Sequence, residues 1–404
     1  MSMPVPRPKL LVLASTYPRW EGDHEPGFVH ELARLLTNDF EVLVLCPHAP
    51  GAATDEWING VRVHRFRYAP EAMETLVNDG GIVTNLSHKR WKWLLVPVFG
   101  FALAWSTWRA LVSWHPRVVH AHWLLPQGAI VTVVRRLVLN APSFLVTSHG
   151  ADLFALRGRI LNVVKRWIAN DAGCTTVVSA AMRAELVALG VPESRVLIEP
   201  MGVDLSQRFI PDAAIERTET EILFVGRLVE KKGLRHLLAA MPEILAQVPR
   251  ANLTVAGFGP ELEDCQIQAR TLGIEDRVNF IGAVSQFDLP NLYRRAAVFV
   301  APFVQAGSGD QEGLGLVMVE AIGCGCPVVA SDLPAVRQVF PDGEGAFLVP
   351  PANPTELAKA VVARLQMPDE VAVISARARM LKAFDWDMRA LGYSKILRNL
   401  ASQK

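Results

Sequence analysis

The chain lacks an excess of charge of either sign. Its 404 residues carry 41 lysines and arginines against 40 aspartates and glutamates. That balance argues against a strong global field for nucleic acid, while leaving room for local basic patches. Cysteine is sparse as well. Of the five, Cys46, Cys174 and Cys265 are scattered, and only Cys324 and Cys326 are close, at a spacing that does not suit zinc. An odd, scattered set fits reduced thiols in a cytoplasm. The opening residues Met1 to Lys9 show no signal-peptide pattern before the first strand. The longest apolar run, Leu94 to Trp105, is shorter than the ~20 residues a membrane-spanning helix needs. No G-x-x-x-x-G-K-S/T is present. Gly257-Phe258-Gly259 lacks the third glycine of a dinucleotide fingerprint, because position 262 is Leu262. These two absences count against a P-loop NTPase and an NAD enzyme.

What the chain has is a repeated grammar. Half of its residues are hydrophobic, enough for a sizeable core without disulfides or metals. In the first half, short Val/Leu/Ile-rich runs fall at residues 10–14, 41–45, 61–66, 118–121, 144–147, 176–179 and 195–198. Helical patterns intervene at 27–36, 127–139 and 160–170. Runs apolar on both faces read as buried parallel strands, so this is the βαβ pattern of a doubly wound sheet. The pattern then restarts. Strands are predicted at 222–225, 253–256, 278–281, 298–301, 328–330 and 347–349, and helices at 234–246, 261–272, 289–295 and 316–323. The polar stretch 204–220 has neither period and reads as the linker. The expected division is therefore an N-terminal Rossmann-like domain (1–205), a C-terminal Rossmann-like domain (206–384), and a last helix (385–404). Ligands of open α/β sheets sit beyond the carboxyl ends of the strands. Two such sheets facing each other across a cleft would suit a two-substrate reaction.

Two motifs carry chemistry. Gly226-Arg227-Leu228-Val229-Glu230-Lys231-Lys232-Gly233 follows a strand and opens a helix. A diphosphate needs positive charge there, and Arg227 and Lys232 supply a planar donor fork and a point charge. A solvated basic turn would look the same. The second motif, Glu312-Gly313-Leu314-Gly315-Leu316-Val317-Met318-Val319-Glu320, sets two glutamates eight apart. Eight residues are a little over two helical turns, so both carboxylates are expected on one helix face, one for a hexose and one for a ribose. Gly313 and Gly315 permit close approach of backbone N–H groups to phosphate. A capped amphipathic helix with surface glutamates would need neither those glycines nor the Cys324-Gly325-Cys326-Pro327 exit into an apolar strand.

With Ser148-His149-Gly150 added to these motifs, the chain resembles the retaining glycosyltransferases of the family-4 type (glycosyl transferases group 1), with the GT-B fold. The resemblance covers essentially the whole chain, and its Glu-x7-Glu segment is the specific part. It implies that Arg227 and Lys232 bind the donor diphosphate, that Glu312 contacts donor-sugar hydroxyls, and that backbone groups of Gly313, Leu314, Gly315 and Leu316 surround sugar and phosphate. Glu320 would bond the ribose, and His149 would reach the donor sugar from the first domain. Gly27 resembles the glycine that lets the first loop approach the phosphate; the family often has two glycines there, whereas this chain has Pro26-Gly27. Gly226, Gly259 and Val284 complete the donor-binding set, the last two beside the base. No cofactor or metal is implied, and no general base is named.

The weaker signals read as follows. Asp385-Trp386-Asp387 is a D-x-D, but it sits at the start of the tail helix and reads as an N-cap rather than a metal pair. His120 and His122 share one strand face without a third ligand, which favours a cleft or structural role. His122, Trp123 and Asp152 are the acceptor-cleft candidates. Residues 89–108 mix basic, tryptophan and aliphatic residues, a composition shared by interfacial and core-facing helices. The expected function is a metal-independent hexosyltransferase. Its expected partners are a UDP- or GDP-linked donor and a glycan or lipid-linked acceptor, with no nucleic acid. It would work in the cytoplasm at the inner membrane face, in envelope or exopolysaccharide assembly. A nucleotide-sugar epimerase or phosphorylase of the same fold, or a non-catalytic nucleotide-sugar-binding subunit, are the alternatives. Donor base, sugar, acceptor and oligomeric state are not legible.

Overall fold

The structure is a computed structural model that describes residues 7–23, 27–78 and 81–403; the side chains of residues 83, 84, 87 and 88 fall outside that description. The first six residues and Pro26 also lie outside it. The chain divides into two compact units, Met1–Pro200 with Arg389–Lys404, and Met201–Met388.

Unit 1 is built on strands β1 (Lys9–Leu13), β2 (Glu41–Pro47), β3 (Asp55–Ile58), β4 (Val61–Phe66), β5 (Val118–His122), β6 (Ser143–Ser148), β7 (Cys174–Val177) and β8 (Val196–Ile198). Their order is β3-β4-β2-β1-β5-β6-β7-β8, parallel throughout except for β3 against β4. The central strands are buried along their length, as both-face-apolar runs require. Strand β3 was not foreseen from the sequence. It is a hairpin partner of β4, turned by Asn59 and Gly60 at φ 48° and 83°. Asn-Gly is the pair that tolerates two positive φ values, so the signal was present. The helices are α1 (Phe28–Leu36), α2 (Gly81–His88), α3 (Leu95–Ser113), α4 (Ala129–Val134), α5 (Ala151–Phe154), α6 (Arg159–Asp171) and α7 (Ala180–Ala188).

One expectation is corrected here. The apolar run from Leu94 does not stop at Trp105. With the turn at Arg90–Leu94 it forms a 24-residue helix, Arg90–Ser113, long and apolar enough by length and composition to cross a membrane. Leu95, Phe99, Leu103, Thr107 and Leu111 recur every four residues as its single buried stripe, and Phe99 meets Phe66 and Tyr68 edge-on. That stripe makes it a packed helix of the domain.

Unit 2 holds β9 (Glu221–Val225), β10 (Asn252–Ala256), β11 (Val278–Gly282), β12 (Val298–Ala301), β13 (Val328–Ser331) and β14 (Ala346–Val349), all parallel. Their order, β11-β10-β9-β12-β13-β14, is the dinucleotide-fold order 3-2-1-4-5-6, with its reversal between β9 and β12. The helices are α8 (Leu234–Gln247), α9 (Leu262–Thr271), α10 (Leu289–Arg295), α11 (Leu316–Gly323), α12 (Pro334–Val339), α13 (Pro354–Gln366) and α14 (Glu370–Phe384). The core between α8, α13 and the sheet is apolar, with Leu237, Met241, Ile244 and Val361 fully buried.

The last helix, α15 (Trp386–Ser402), starts in unit 2 and continues in unit 1. From Arg389 onward it is tied to unit 1. Arg389 donates to Glu199 at 2.8 Å, the Tyr393 hydroxyl donates to the Glu199 carbonyl at 2.7 Å, and Ser394 and Arg398 bond Asp39. Residues 201–205 group with unit 2 rather than unit 1. Val203 N donates to Phe384 O at 2.8 Å, and Asp385 accepts from Leu205 N and Ser206 Oγ. Asp385 also accepts from Asp387 N, the contact of a helix cap.

Candidate functional site

At the crest of unit 2, three loops are locked together by backbone. Gly226 N donates to Ala256 O, Gly257 N to Gly282 O, and Leu228 N to Phe258 O, at 2.7 to 3.0 Å. The glycines make this possible. A Cβ on Gly257 (φ +146°) would lie 1.9 Å from Gly226 O, and one on Gly259 would lie 2.4 Å from Leu228 O. Gly259, a donor-binding candidate, thus has a structural reason to be glycine. Gly226 is different: its Cβ would meet only the Lys232 side chain, at 3.6 Å. Val284 is half-buried in the loop after β11.

On this platform Lys232 turns toward Glu312. Their Nζ and Oε2 are 2.8 Å apart, and the ammonium sits 4.7 Å from the Phe303 ring centre. Burial pushes the Glu312 carboxyl up. The Lys232 and Lys231 charges and the Gly313 N–H outweigh it and hold the carboxyl at about 2. Lys231 bonds Asp310 at 3.1 Å, and Glu230 accepts from Gly307 N at 2.8 Å, which fastens the loop after β12 to the loop after β9. Arg227, on the same loop after β9, is half-buried.

The two glutamates are not on one helix face. Gly315, at φ +83°, caps α11, so the helix begins at Leu316 and only Glu320 lies on it. Glu312 belongs to the preceding loop. A Cβ at Gly315 would press on Phe303 and Met318 within 3 Å, so the sharp entry needs glycine. Gly313, Leu314 and Gly315 are buried, and Leu316 is half-buried at the helix entrance. Glu320 accepts from the Tyr293 hydroxyl at 2.9 Å. Burial raises its carboxyl to about 7, against the lowering effect of Tyr293, Lys232 and Arg208. Tyr293 and Phe303 were not foreseen. Phe303 had a signal, an aromatic two residues past an apolar strand; Tyr293 had none.

The crest of unit 1 is neutral and aromatic. His122 Nδ1 and His149 Nε2 are 3.0 Å apart with nearly parallel rings. Phe28 and Trp123 pack on His149 with ring centres at 4.9 and 5.0 Å. His120 bonds Thr147 Oγ1 at 2.7 Å, and its ring centre is 4.1 Å from that of His122. Burial holds His149 and His120 down at about 3 and His122 well below its ordinary value, so all three imidazoles are uncharged at neutral pH. Asp152 is a loop tie rather than a surface presented to an acceptor. Its carboxylate is buried and accepts from Leu124 N at 2.7 Å, Ser148 Oγ at 2.8 Å and His149 N at 3.3 Å. It thereby fixes both the Trp123 turn (φ +73°) and the His149 loop. Gly27 caps α1 in this crest, and a Cβ there would meet nothing within 4 Å. Among the described residues no group of three or more His, Cys, Asp or Glu is placed to hold a metal ion.

A cation–carboxylate pair at a glycine-capped helix entrance, on a sheet of dinucleotide-fold order, defines an α/β protein with a ligand-binding crest of the nucleotide-fold kind. The comparisons specify it. Residues 206–380 match the family model "Glycosyl transferases group 1", and residues 28–202 match "Glycosyl transferase 4-like domain". A GDP-mannose-dependent alpha-(1-6)-phosphatidylinositol monomannoside mannosyltransferase of Mycolicibacterium smegmatis is 30% identical over 263 residues, 63% of this chain and 69% of the relative. A phosphatidyl-myo-inositol mannosyltransferase of Mycobacterium leprae is 31% identical over 301 residues, 73% of this chain and 76% of the relative. Sucrose-phosphate synthase from Thermosynechococcus elongatus shares the fold, with a TM-score of 0.79 at 24% identity, covering 98% of this chain and 100% of that one. The chain belongs to the glycosyl transferases group 1 family, with the GT-B fold, and it is a glycosyltransferase.

Proposed function

We propose that the chain is a retaining hexosyltransferase that takes its sugar from a UDP- or GDP-linked donor and places it on a hydroxyl of a glycan or lipid-linked acceptor, in envelope or exopolysaccharide assembly at the cytoplasmic membrane face. The observation that carries this reading is the Lys232–Glu312 pair together with the Gly315-capped entrance to α11.

The chemistry follows from where charge develops. As the anomeric carbon–oxygen bond breaks, negative charge grows on the leaving diphosphate. Arg227, Lys232 and the N–H groups at the start of α11 bind that form more strongly than the ground state. Glu312 is held ionised, so it accepts bonds from donor-sugar hydroxyls while its charge keeps Lys232 in place. Glu320 accepts from the ribose hydroxyls, oriented by Tyr293. The uncharged crest of unit 1, with His149, His122 and Trp123, suits neutral sugar hydroxyls. Fixed cations supply the charge that a divalent metal supplies elsewhere, so turnover is expected to survive a chelator. Same-face transfer, with a donor phosphate oxygen taking the acceptor proton, is the family reaction and accounts for a site without a named general base.

The relative that uses GDP-mannose makes that sugar nucleotide the first to try. A thermal-shift screen of sugar nucleotides tests the reading, since a ligand at 100 times its Kd stabilises by ~2.7 kcal/mol. The anomeric configuration of the product, read by NMR with the donor that binds, then tests retention. Failure of every UDP- and GDP-sugar to shift the melting temperature would overturn the proposal.

A further inference from the structure

The resemblance gives roles to Arg227 and Lys232 and leaves Lys231, one residue before Lys232, without one. The structure ties it down far more than a solvated lysine. Its ammonium bonds Asp310 at 3.1 Å and donates to the Gln311 carbonyl at 3.4 Å, and the side chains of Lys231 and Asp310 are only 17% and 22% exposed. Its own carbonyl accepts from Val304 N at 3.0 Å, and the neighbouring Glu230 accepts from Gly307 N at 2.8 Å. Residues 304–311 are also closed on themselves: Ala306 N donates to Asp310 O at 2.8 Å, and Gly309 N to Ala306 O at 2.7 Å. The next residue is Glu312. The loop after β9 therefore fixes the backbone from which the Glu312 carboxylate springs.

The two adjacent lysines are held differently. Lys232 is bound to Glu312 itself, at 2.8 Å. A diphosphate that engages Lys232 competes with that contact. An ammonium has three donors, and those turned to phosphate are lost to Glu312. The phosphate charge also cancels the Lys232 charge that the carboxylate feels. Burial by itself pushes the Glu312 carboxyl up; Lys232 first and Lys231 second hold it down. Once the diphosphate claims Lys232, only Lys231 of these two cations still works for Glu312. Without it the buried carboxylate would take up a proton and lose its strength as an acceptor of sugar hydroxyls. Lys231 is not open to the same competition, because Asp310 and the Gln311 carbonyl occupy its ammonium. The other carboxylates of these elements have partners of their own, Glu230 in Gly307 N and Glu320, on α11, in Tyr293. Arg227 shares the loop with both lysines.

We propose that Lys231, anchored by Asp310, is a positioning residue for the transfer: it is the counter-charge that keeps Glu312 an anion after the donor diphosphate has taken Lys232, and it fixes the loop that carries Glu312. This rests on the reading of unit 2 as the donor site and deepens it by separating the work of two adjacent lysines. Lys232 binds the leaving group. Lys231 maintains the carboxylate that accepts from the donor-sugar hydroxyls.

The test is the number of protons taken up when UDP or GDP binds the full chain, measured by calorimetry in buffers of different ionisation enthalpy. Titration of the nucleotide phosphate and of Glu320 is common to wild type and variant, so the difference between them is read. Lys231→Met is expected to take up extra protons on binding, rising toward about one per site as pH falls from about 7 to about 5, because its Glu312 protonates as Lys232 is drawn away. Its affinity relative to the wild type should therefore grow as pH falls. Lys231→Arg keeps the charge and the bond to Asp310 and should restore the wild-type count. A lysine that served only to hold the loop would change affinity by one factor at every pH and leave the count alone. Where Lys231→Met does not fold, Lys231→Gln, which keeps a donor for Asp310 without the charge, takes its place. Equal proton counts in the wild type and the neutral variant, or a Lys231→Arg count that matches Lys231→Met, would overturn the proposal. Failure of both UDP and GDP to bind the wild type sinks the donor reading and this inference with it; diphosphate binding with an unmoved proton count sinks the Lys231 assignment alone.

Discussion

The crest of unit 1 is uncharged: three histidines are pushed below their ordinary range, aromatic rings surround them, and one aspartate is fully occupied in tying loops. The crest of unit 2 is ionic. Lys232 pairs with Glu312, Lys231 with Asp310, and the Glu320 carboxyl is poised near neutrality. Both crests stand at the carboxyl ends of parallel sheets with the same winding, so the fold does not dictate the contrast. The loop residues do. A charged leaving group is best stabilised where fixed cations already stand, and neutral hydroxyls lose least in a neutral pocket. Under the proposed function the difference divides the labour: the leaving diphosphate belongs with the ionic crest of unit 2, and neutral acceptor hydroxyls with the uncharged crest of unit 1.

That division can be broken most forcefully at Lys232 and Glu312. Lys232→Met or Glu312→Gln is expected to lower kcat by about 10²–10³, the usual loss when one charge-stabilising group is removed. His149→Ala should cost less, since it removes a neutral contact; steady-state kinetics with the donor found by screening gives the ratio. Equal losses would erase the distinction between the crests.

Glycines sharpen the comparison next. Gly257→Ala forces a Cβ against the Gly226 carbonyl and should destabilise unit 2 by ~3 kcal/mol or more. Gly27→Ala has open space and should change stability by less than ~0.5 kcal/mol. If Gly27 faces the donor phosphate, that variant nevertheless weakens donor binding. Urea denaturation alongside nucleotide titration separates the two effects. In unit 1, Asp152→Ala strands the Leu124 and His149 N–H groups and the Ser148 hydroxyl, at a cost of about 1–3 kcal/mol, again read by urea.

A further effect is the pH profile. Glu320 has a folded value raised to about 7. Its protonation therefore favours the fold, so this contribution grows as pH falls from about 7 toward the ordinary glutamate value and is lost as pH rises through about 7. If Glu320 accepts from the ribose hydroxyls, binding needs the ionised carboxylate, and nucleotide affinity should run the opposite way, falling by up to about tenfold per unit below pH 7. Calorimetry across pH should show the limb in the wild type and not in Glu320→Gln. An imidazole limb near the ordinary histidine value would contradict the neutral crest of unit 1.

Much of this was legible in the sequence. Every expected strand exists; the central ones, such as β1, β5, β9 and β12, are buried on both faces, while β11 at the sheet edge alternates half-buried and exposed residues. Arg227, Lys232, Glu312 and Glu320 occur together in unit 2, beside a helix whose entrance is made of glycines. What was not legible depended on backbone conformation and long-range pairing. A left-handed Gly315 ends the loop one residue before the helix, which takes Glu312 off the helix face that spacing alone suggested. The partners of Lys232 and Glu320, namely Glu312, Phe303 and Tyr293, come from distant segments that only the sheet order brings together. Asp152, an acceptor-cleft candidate in the sequence, is taken up by three backbone and hydroxyl donors that lie close to it only in the fold.

The decisive measurement is the affinity of the wild type and of Lys232→Met for nucleoside mono- and diphosphates, UMP against UDP and GMP against GDP, by isothermal titration calorimetry. If unit 2 cradles a diphosphate, the wild type prefers the diphosphate of one base, and the variant loses about tenfold or more of that preference while binding the monophosphate as before. An unchanged preference in the variant would contradict the assignment.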